Sequence, residues 1–252
     1  MVNLFDSIDW ADIFRVEPGI GLAIISKEGN ILYSNGAILA LFGVPSRDPQ
    51  TQSAPRNLGD IFHPDFARER MEWIKQVLEE GRPLRARHIY QGQQIVSTIY
   101  PVGESMVQKF RGTVEQPQAA GDEPATEVDS EHPPEGTAAV HYALFISRRD
   151  GQEDSSEINT VSSQYIDLGC LSSLSKRELE IFILLGHGNS VPEVARMLHR
   201  SPRTVERHKT EIGRKLGYSS LAEIARAVGH VGLTYDHLQL ERLKALADPE
   251  SN

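Results

Sequence analysis

Two rhythms of apolar and polar positions run along this chain. Gly21–Ser26 (GLAIIS) and Ile31–Ser34 (ILYS) are apolar, β-rich runs. The turn-forming residues Lys27-Glu28-Gly29-Asn30 separate them, so the two are expected to pair as an antiparallel hairpin. Asn35 can then cap a short helix with Ala37, Ile38, Leu41 and Phe42 on one side, Gly43 as a left-handed stop and Pro45 beyond it. Asp65 can cap a longer helix whose apolar Ala67, Met71, Ile74 and Leu78 recur at helical spacing, with Gly81 ending it. Leu84–Tyr90 and Gln94–Val102 read as strands meeting at Gln91-Gly92-Gln93, and Val140–Ile146 as a fifth strand. The expected order is β-β-α-α-β-β-β.

Two stretches break this pattern. Residues 113–137 form an acidic insertion within the first domain. Its Glu115–Gly136 part holds seven acids, no Lys or Arg, and Pro117, Pro124, Pro133 and Pro134. So little apolar area cannot offset the entropy of ordering it, and disorder is expected there. Residues 150–170 are polar, acidic and Ser-rich, and read as an interdomain linker.

Beyond residue 170 the period changes to that of helices. Ser175 to Glu178 is a capping box, and Leu174 and Leu179 can form a hydrophobic staple around it. The Ser-x-x-Glu spacing recurs at Ser190–Glu193 and Ser220–Glu223, and Ser201-Pro202 puts proline at a first helical position. With Gly186, Gly188 and Gly217 as breaks, helices are expected at 176–186, 191–198, 202–216 and 221–229. The short connection His199-Arg200-Ser201 has the length of a helix-turn-helix. At about 100° per residue, Val205, Ile212 and Leu216 fall within about 20° of one another, while Arg203, Arg207, Thr210 and Arg214 lie on the opposite side. Leu238, Leu240, Leu243 and Leu246 suggest a final helix in the tail, residues 234–252.

Charge sharpens the division. The net charge of the 252 residues is -9, which averages over unlike parts. Residues 1–170 carry 14 Lys and Arg against 25 Asp and Glu, whereas residues 171–233 carry ten against six. A small basic module behind an acidic one is the asymmetry of a nucleic-acid-binding unit fused to something else. The longest uncharged apolar run, around Gly19 to Ile25, is far short of a membrane span, and a cytoplasmic protein is expected. One cysteine, Cys170, offers neither an internal disulfide nor a multi-cysteine zinc site. No paired carboxylates, GxSxG elbow, phosphate-cradling glycine loop or metal-ligand spacing is present, so an enzymatic role is not expected.

The segment ILYSNGAILALFGVP, with Tyr33, Asn35, Ala37, Leu41, Phe42 and Gly43, and the weaker His63-Pro64-Asp65 resemble the PAS sensor fold across residues 12–149. The resemblance implies a five-stranded antiparallel sheet with helices on one face, used to bind a small ligand or cofactor, or to dimerise. The residues identify no cofactor. A flavin photosensor of this fold needs a reactive cysteine in the helical segment, and none is there. His63 more readily ends a loop than holds haem, and Asn35 more readily caps a helix than touches a ligand.

LSKRELEIFILLGHGNSVPEVARMLHRSPRTVERHKTEIGRKLG closely resembles the LuxR-type helix-turn-helix of bacterial transcription regulators over residues 171–233. The expected fold class is α+β, with the PAS-like sheet followed by this all-α domain of four helices. By resemblance, Glu178 orients the first helix, Val194-Ala195 pack the second, and Ser201 to Arg214 enter the major groove of double-stranded DNA. Arg200, Ser201, Arg203, Thr204, Glu206, Arg207, Lys209, Thr210, Arg214 and Lys215 are the expected DNA-binding residues. Leu221, Ile224, Ala225 and Val228 are those expected to pair subunits of a homodimer. Glu206 stands where many members place Lys or Arg. An acid there repels phosphate but can accept from cytosine's amino group. The expected function is a transcription regulator whose first domain senses a ligand, a redox state or a partner. A second reading is a signalling adaptor whose PAS domain binds a partner protein and whose helix-turn-helix docks on RNA polymerase.

Overall fold

A computed structural model of the chain describes residues 19–44, 57–104, 106–107, 140–149 and 158–243. The acidic insertion 113–137 lies outside the described residues. The architecture is α+β: a seven-stranded sheet with helices against it, followed by a four-helix unit.

The first hairpin forms as expected: β1 (Gly21–Ser26) pairs antiparallel with β2 (Ile31–Ser34), and Gly29 takes a left-handed φ of 84° in the turn. Asn35 caps α1 (Gly36–Leu41), its Oδ1 accepting from the amide of Ile38 at 2.9 Å. The same side chain accepts from the amide of Leu22 and donates to the carbonyl of Ile20, each at 3.0 Å, so one amide group ties the helix start to β1. α2 (Pro64–Glu80) starts two residues earlier than expected. His63, not Asp65, is its N-cap, Pro64 is the first helical residue, and His63 Nδ1 accepts from the amide of Asp65. The buried stripe of α2 is also rotated from the expected one. Phe66, Ala67, Arg70, Trp73, Ile74 and Val77 face the sheet, while Met71 and Leu78 are only partly buried. A buried arginine carries the stripe through a position that an apolar count passes over.

β3 (Leu84–Tyr90) and β4 (Gln93–Gly103) are joined by Gln91 and Gly92, both at positive φ, 48° and 68°. Positive φ at both central positions is the two-residue turn whose twist matches the flanking strands. β5 (Val140–Arg149) lies between β4 and β1, antiparallel to both. One face of these five strands packs on α1 and α2 through Ile25, Ile38, Phe42, Phe66, Ile74, Ile99 and Phe145. The other gathers Leu22, Ile24, Val102, Val107 and Leu144.

The sheet does not stop at five strands. Within the stretch expected as a linker, β6 (Asn159–Ile166) adds parallel to β3, and β7 (Glu241–Arg242) adds parallel to β6, giving the order β2-β1-β5-β4-β3-β6-β7. The polar composition misled because the outward residues Ser162 and Gln164 are exposed, while Ser163, Ile166 and Leu168 are buried. Glu69 on α2 fastens β6: its carboxylate accepts from Ser163 Oγ at 2.5 Å and from the amide of Gln164 at 2.7 Å. The tail differs too. Tyr235–Gln239 is a single 3-10 turn, and Leu240 leads directly into β7, where a helix was expected. Leu243 then packs into the core of the sheet.

Candidate nucleic-acid interface

The helices of the basic block fall within two residues of their expected bounds: α3 (Lys176–Gly186), α4 (Val191–Met197), α5 (Pro202–Leu216) and α6 (Leu221–Val231). The Ser175–Glu178 box is closed in both directions, Ser175 Oγ accepting from the Glu178 amide at 3.3 Å and the carboxylate from the Ser175 amide at 2.8 Å. Leu174 and Leu179 flank it, both buried in one core with Phe182, Val194, Val205 and Ile212. Between α4 and α5, His199 takes a left-handed φ of 50°, and the amide of Arg200 donates back to the carbonyl of Ala195 at 2.8 Å. This reversal ends α4 and sets the angle at which α5 leaves.

Ser201 caps α5, its Oγ accepting from the amide of Thr204 at 3.1 Å. Gly217, at a φ of 74°, closes the helix. Between those caps the two faces separate. Val205 and Ile212 are fully buried against α3 and α4, Leu216 is half-buried, and Arg203, Glu206, Arg207, Thr210 and Arg214 are exposed. Burying a Val and an Ile this completely contributes about 1.5–3 kcal/mol each, enough to fix which face turns outward. Arg200 is exposed in the turn, and Thr204 and Lys209 are half-buried beside the exposed row.

The ion pairs within α5 sort these residues further. Lys209 pairs with Glu206 at 2.8 Å and Arg214 with Glu211 at 3.0 Å, both at i,i+3 spacing. Neither Arg203 nor Arg207 is drawn into an ion pair among the described residues. The i,i+3 spacing of opposite charges is what brings Glu206 and Lys209 together. Glu206 is therefore partly neutralised by Lys209 on this face.

Two sets of the expected residues make contacts within the domain itself. Lys215 is exposed, and its Nζ is engaged: it donates to Glu178 Oε2 at 2.7 Å and to the carbonyl of Ser173 at 3.1 Å, tying the end of α5 to the start of α3. Burial opposes ionisation of Glu178, yet the hydrogen bonds from Lys215 and Ser175 outweigh it and hold that carboxyl at about 2. Ile224 and Val228 of α6 are not available to a partner subunit either. They are buried in the domain's own core, where Val228 lies against Gly186 of α3. Of the four residues expected to pair subunits, Leu221 is exposed and Ala225 half-buried. Apolar periodicity finds a buried stripe but does not say which body buries it.

Comparison with known proteins fits this geometry. Residues 172–228 match the family model for bacterial regulatory proteins of the luxR family. The oxygen regulatory protein NreC of Staphylococcus aureus strain JH9 is 51% identical over 51 residues, which are 20% of this chain and 24% of that protein. The chain therefore spans about a quarter of the length of the curated relatives it matches. Among solved structures, a Vibrio cholerae VqmA dimer, described as a LuxR-type receptor, superposes with a TM-score of 0.39 at 16% identity over 94% of this chain and 95% of that one. A domain of an HTR-like protein from Haloarcula marismortui gives 0.32 at 18% identity over 52% and 96%. The helical unit at residues 172–228, with its opposed stripes and closed caps, is a LuxR-type helix-turn-helix domain.

Proposed function

We propose that the chain is a transcription regulator that binds operator DNA through the outward face of α5. The observation that carries this is the pairing of a fully buried Val205–Ile212 stripe with exposed Arg203, Arg207 and Arg214 on the opposite side of one helix. Guanidinium groups so placed can reach phosphates and the acceptor edges of guanine while the helix is gripped from behind. Ser201 and Thr204 at the helix start, with Arg200 beside them, are the residues that lead into the groove. Lys215 serves the scaffold instead. Glu206 and Lys209 act as a pair that adjusts which bases are tolerated.

The protein works as a symmetric dimer on near-palindromic half-sites about one helical turn apart. The exposed part of α6, Leu221 with Ala225 beside it, is the surface that pairs subunits. The first domain is the sensor. What supports a PAS-like reading is the antiparallel run of β1 to β5 with α1 and α2 on one face, the arrangement the sequence resemblance implies. A cytoplasmic site of action accords with the absence, among the described residues, of any helix long and apolar enough to cross a membrane.

Mobility shifts of the full chain on DNA from its own promoter region test the reading. Affinity should fall by roughly 0.9 log units per log unit of salt for each phosphate neutralised. Arg203→Ala with Arg207→Ala should weaken binding by at least tenfold, at about 1–3 kcal/mol per lost base contact. Unchanged binding by the double variant would overturn the assignment of α5.

A further inference from the structure

Arg203, Arg207, Thr210 and Arg214 form one row along the exposed side of α5, at i, i+4, i+7 and i+11. At about 1.5 Å per residue the row spans about 16 Å, or roughly five base-pair steps of about 3.4 Å. Thr210 is its uncharged member. The Thr210 Oγ1 donates to the carbonyl of Glu206, one turn earlier, at 3.0 Å. The hydroxyl proton is thereby committed to the helix's own backbone, and docking on a duplex need not break that bond. Its oxygen is held against the helix, which leaves the γ-methyl as the group that an exposed Thr210 presents to a partner.

The polar neighbours of this methyl are also occupied. Glu206 pairs with Lys209 at 2.8 Å and Arg214 with Glu211 at 3.0 Å. A small apolar spot thus lies between the guanidinium of Arg207 and internally paired charges. Of the four bases, thymine alone carries a methyl group on its major-groove edge, at C5. Methyl against methyl removes water from two apolar surfaces, whereas a methyl against the amino group of adenine or cytosine strips a donor of its water and returns no hydrogen bond.

We propose that Thr210 is a specificity-determining residue whose γ-methyl packs on the C5-methyl of a thymine within two base pairs of the guanine that Arg207 contacts. The proposal rests on the reading of α5 as the groove helix and names a base that this helix selects. Positions 207 and 210 are about 4.5 Å apart along the helix axis, between one and two base-pair steps of about 3.4 Å. Burial of a single methyl group corresponds to about a fourfold change in affinity. Thr210→Ser keeps the hydroxyl and removes the methyl, and Thr210→Val does the reverse, so the two variants separate the groups. Thr210 is exposed, and both variants retain the domain core.

The full chain is first used to select duplexes from a pool of random-sequence DNA. Each thymine of the selected half-site is then exchanged singly for deoxyuridine, which lacks the C5-methyl, and affinities are compared by mobility shift at one salt concentration. For the unaltered chain, one exchange within two base pairs of a guanine should weaken binding about fourfold. At that position Thr210→Ser should bind the thymine and deoxyuridine duplexes alike, and Thr210→Val should still prefer thymine. A selected half-site without such a thymine, a preference that Thr210→Ser retains, or a preference that Thr210→Val loses would each overturn the proposal, the last by assigning the reading to the hydroxyl. Those three outcomes require an enriched duplex and leave DNA binding by α5 standing. A pool that yields no enriched duplex overturns that broader reading, and the role of Thr210 with it.

Discussion

Glu178 closes the cap of α3 and receives Lys215 from the far end of α5, so one carboxylate holds the angle between the two helices. Its folded-state value of about 2 lies below its ordinary 4.5. The stabilisation is therefore complete above pH 4.5 and is lost as pH falls from there towards 2. Because its partner Lys215 stays partly exposed to solvent, the pair contributes about 1–2 kcal/mol. Glu178→Gln should lower the unfolding free energy measured by urea denaturation at pH 7 by that amount and flatten the acid limb of the stability curve. A variant whose midpoint tracks the wild type at every pH would show that Lys215 and Glu178 contribute no net coupling. Arg70 is the contrasting residue, a buried guanidinium on which the neighbouring Glu69 carboxylate acts without an ion-pair contact among the described residues.

Among the elements, α3 and α6 approach each other closely at Gly186 and Val228. A Cβ added at Gly186 would lie 2.3 Å from Val228 Cγ2 and 2.5 Å from its Cβ. Propensity alone favours alanine over glycine inside a helix by about 1 kcal/mol. Overpacking at such a distance costs about 1–3 kcal/mol, so the two effects compete and packing should win. Gly186→Ala should lower the melting temperature, and a rise would mean that α6 has room to retreat. As a sequence signal Gly186 reads as a helix break, whereas Gly188, at a φ of 89°, is the residue that turns the chain. The four helices were legible because each starts at a serine and three of them end near a glycine, signals that act within a few residues. The stripe of α2 was not legible. Counting apolar positions skips Arg70, and the choice of face depends on a sheet assembled from distant strands. Ile224 and Val228 show the same limit, for periodicity marks a contact without naming its partner.

At the scale of the whole molecule, the expected linker is a seam. The amide of Gly92 donates to the carbonyl of Asp167 at 2.9 Å, and that of Asp167 to the carbonyl of Ile89 at 3.1 Å. The β3–β4 turn thus lies against the chain entering α3. Ile89, Ile166 and Leu168 continue the core of the helical domain into the sheet. Long-range parallel pairing of this kind leaves no local pattern in the sequence, which is why composition read the stretch as a spacer. Gly169, at a φ of 53°, marks a close approach of two backbones, since a Cβ there would meet the Gln91 carbonyl carbon and oxygen at 2.7 Å. Gly169→Ala should destabilise the seam by about 2–4 kcal/mol, from left-handed strain and overpacking together. Calorimetry should then resolve two transitions where the unaltered chain gives one, and a single unshifted transition in the variant would count against a mechanically continuous molecule.

The helical domain is entered through β6 and left through β7, and those two strands are neighbours, paired at Tyr165–Glu241 and Ile166–Arg242. A unit hung from one tether swivels freely about it. One gripped at both its entrance and its exit resists torque, so a twist imposed on the sheet edge is handed on to the helices as a rotation instead of dissipating in slack chain.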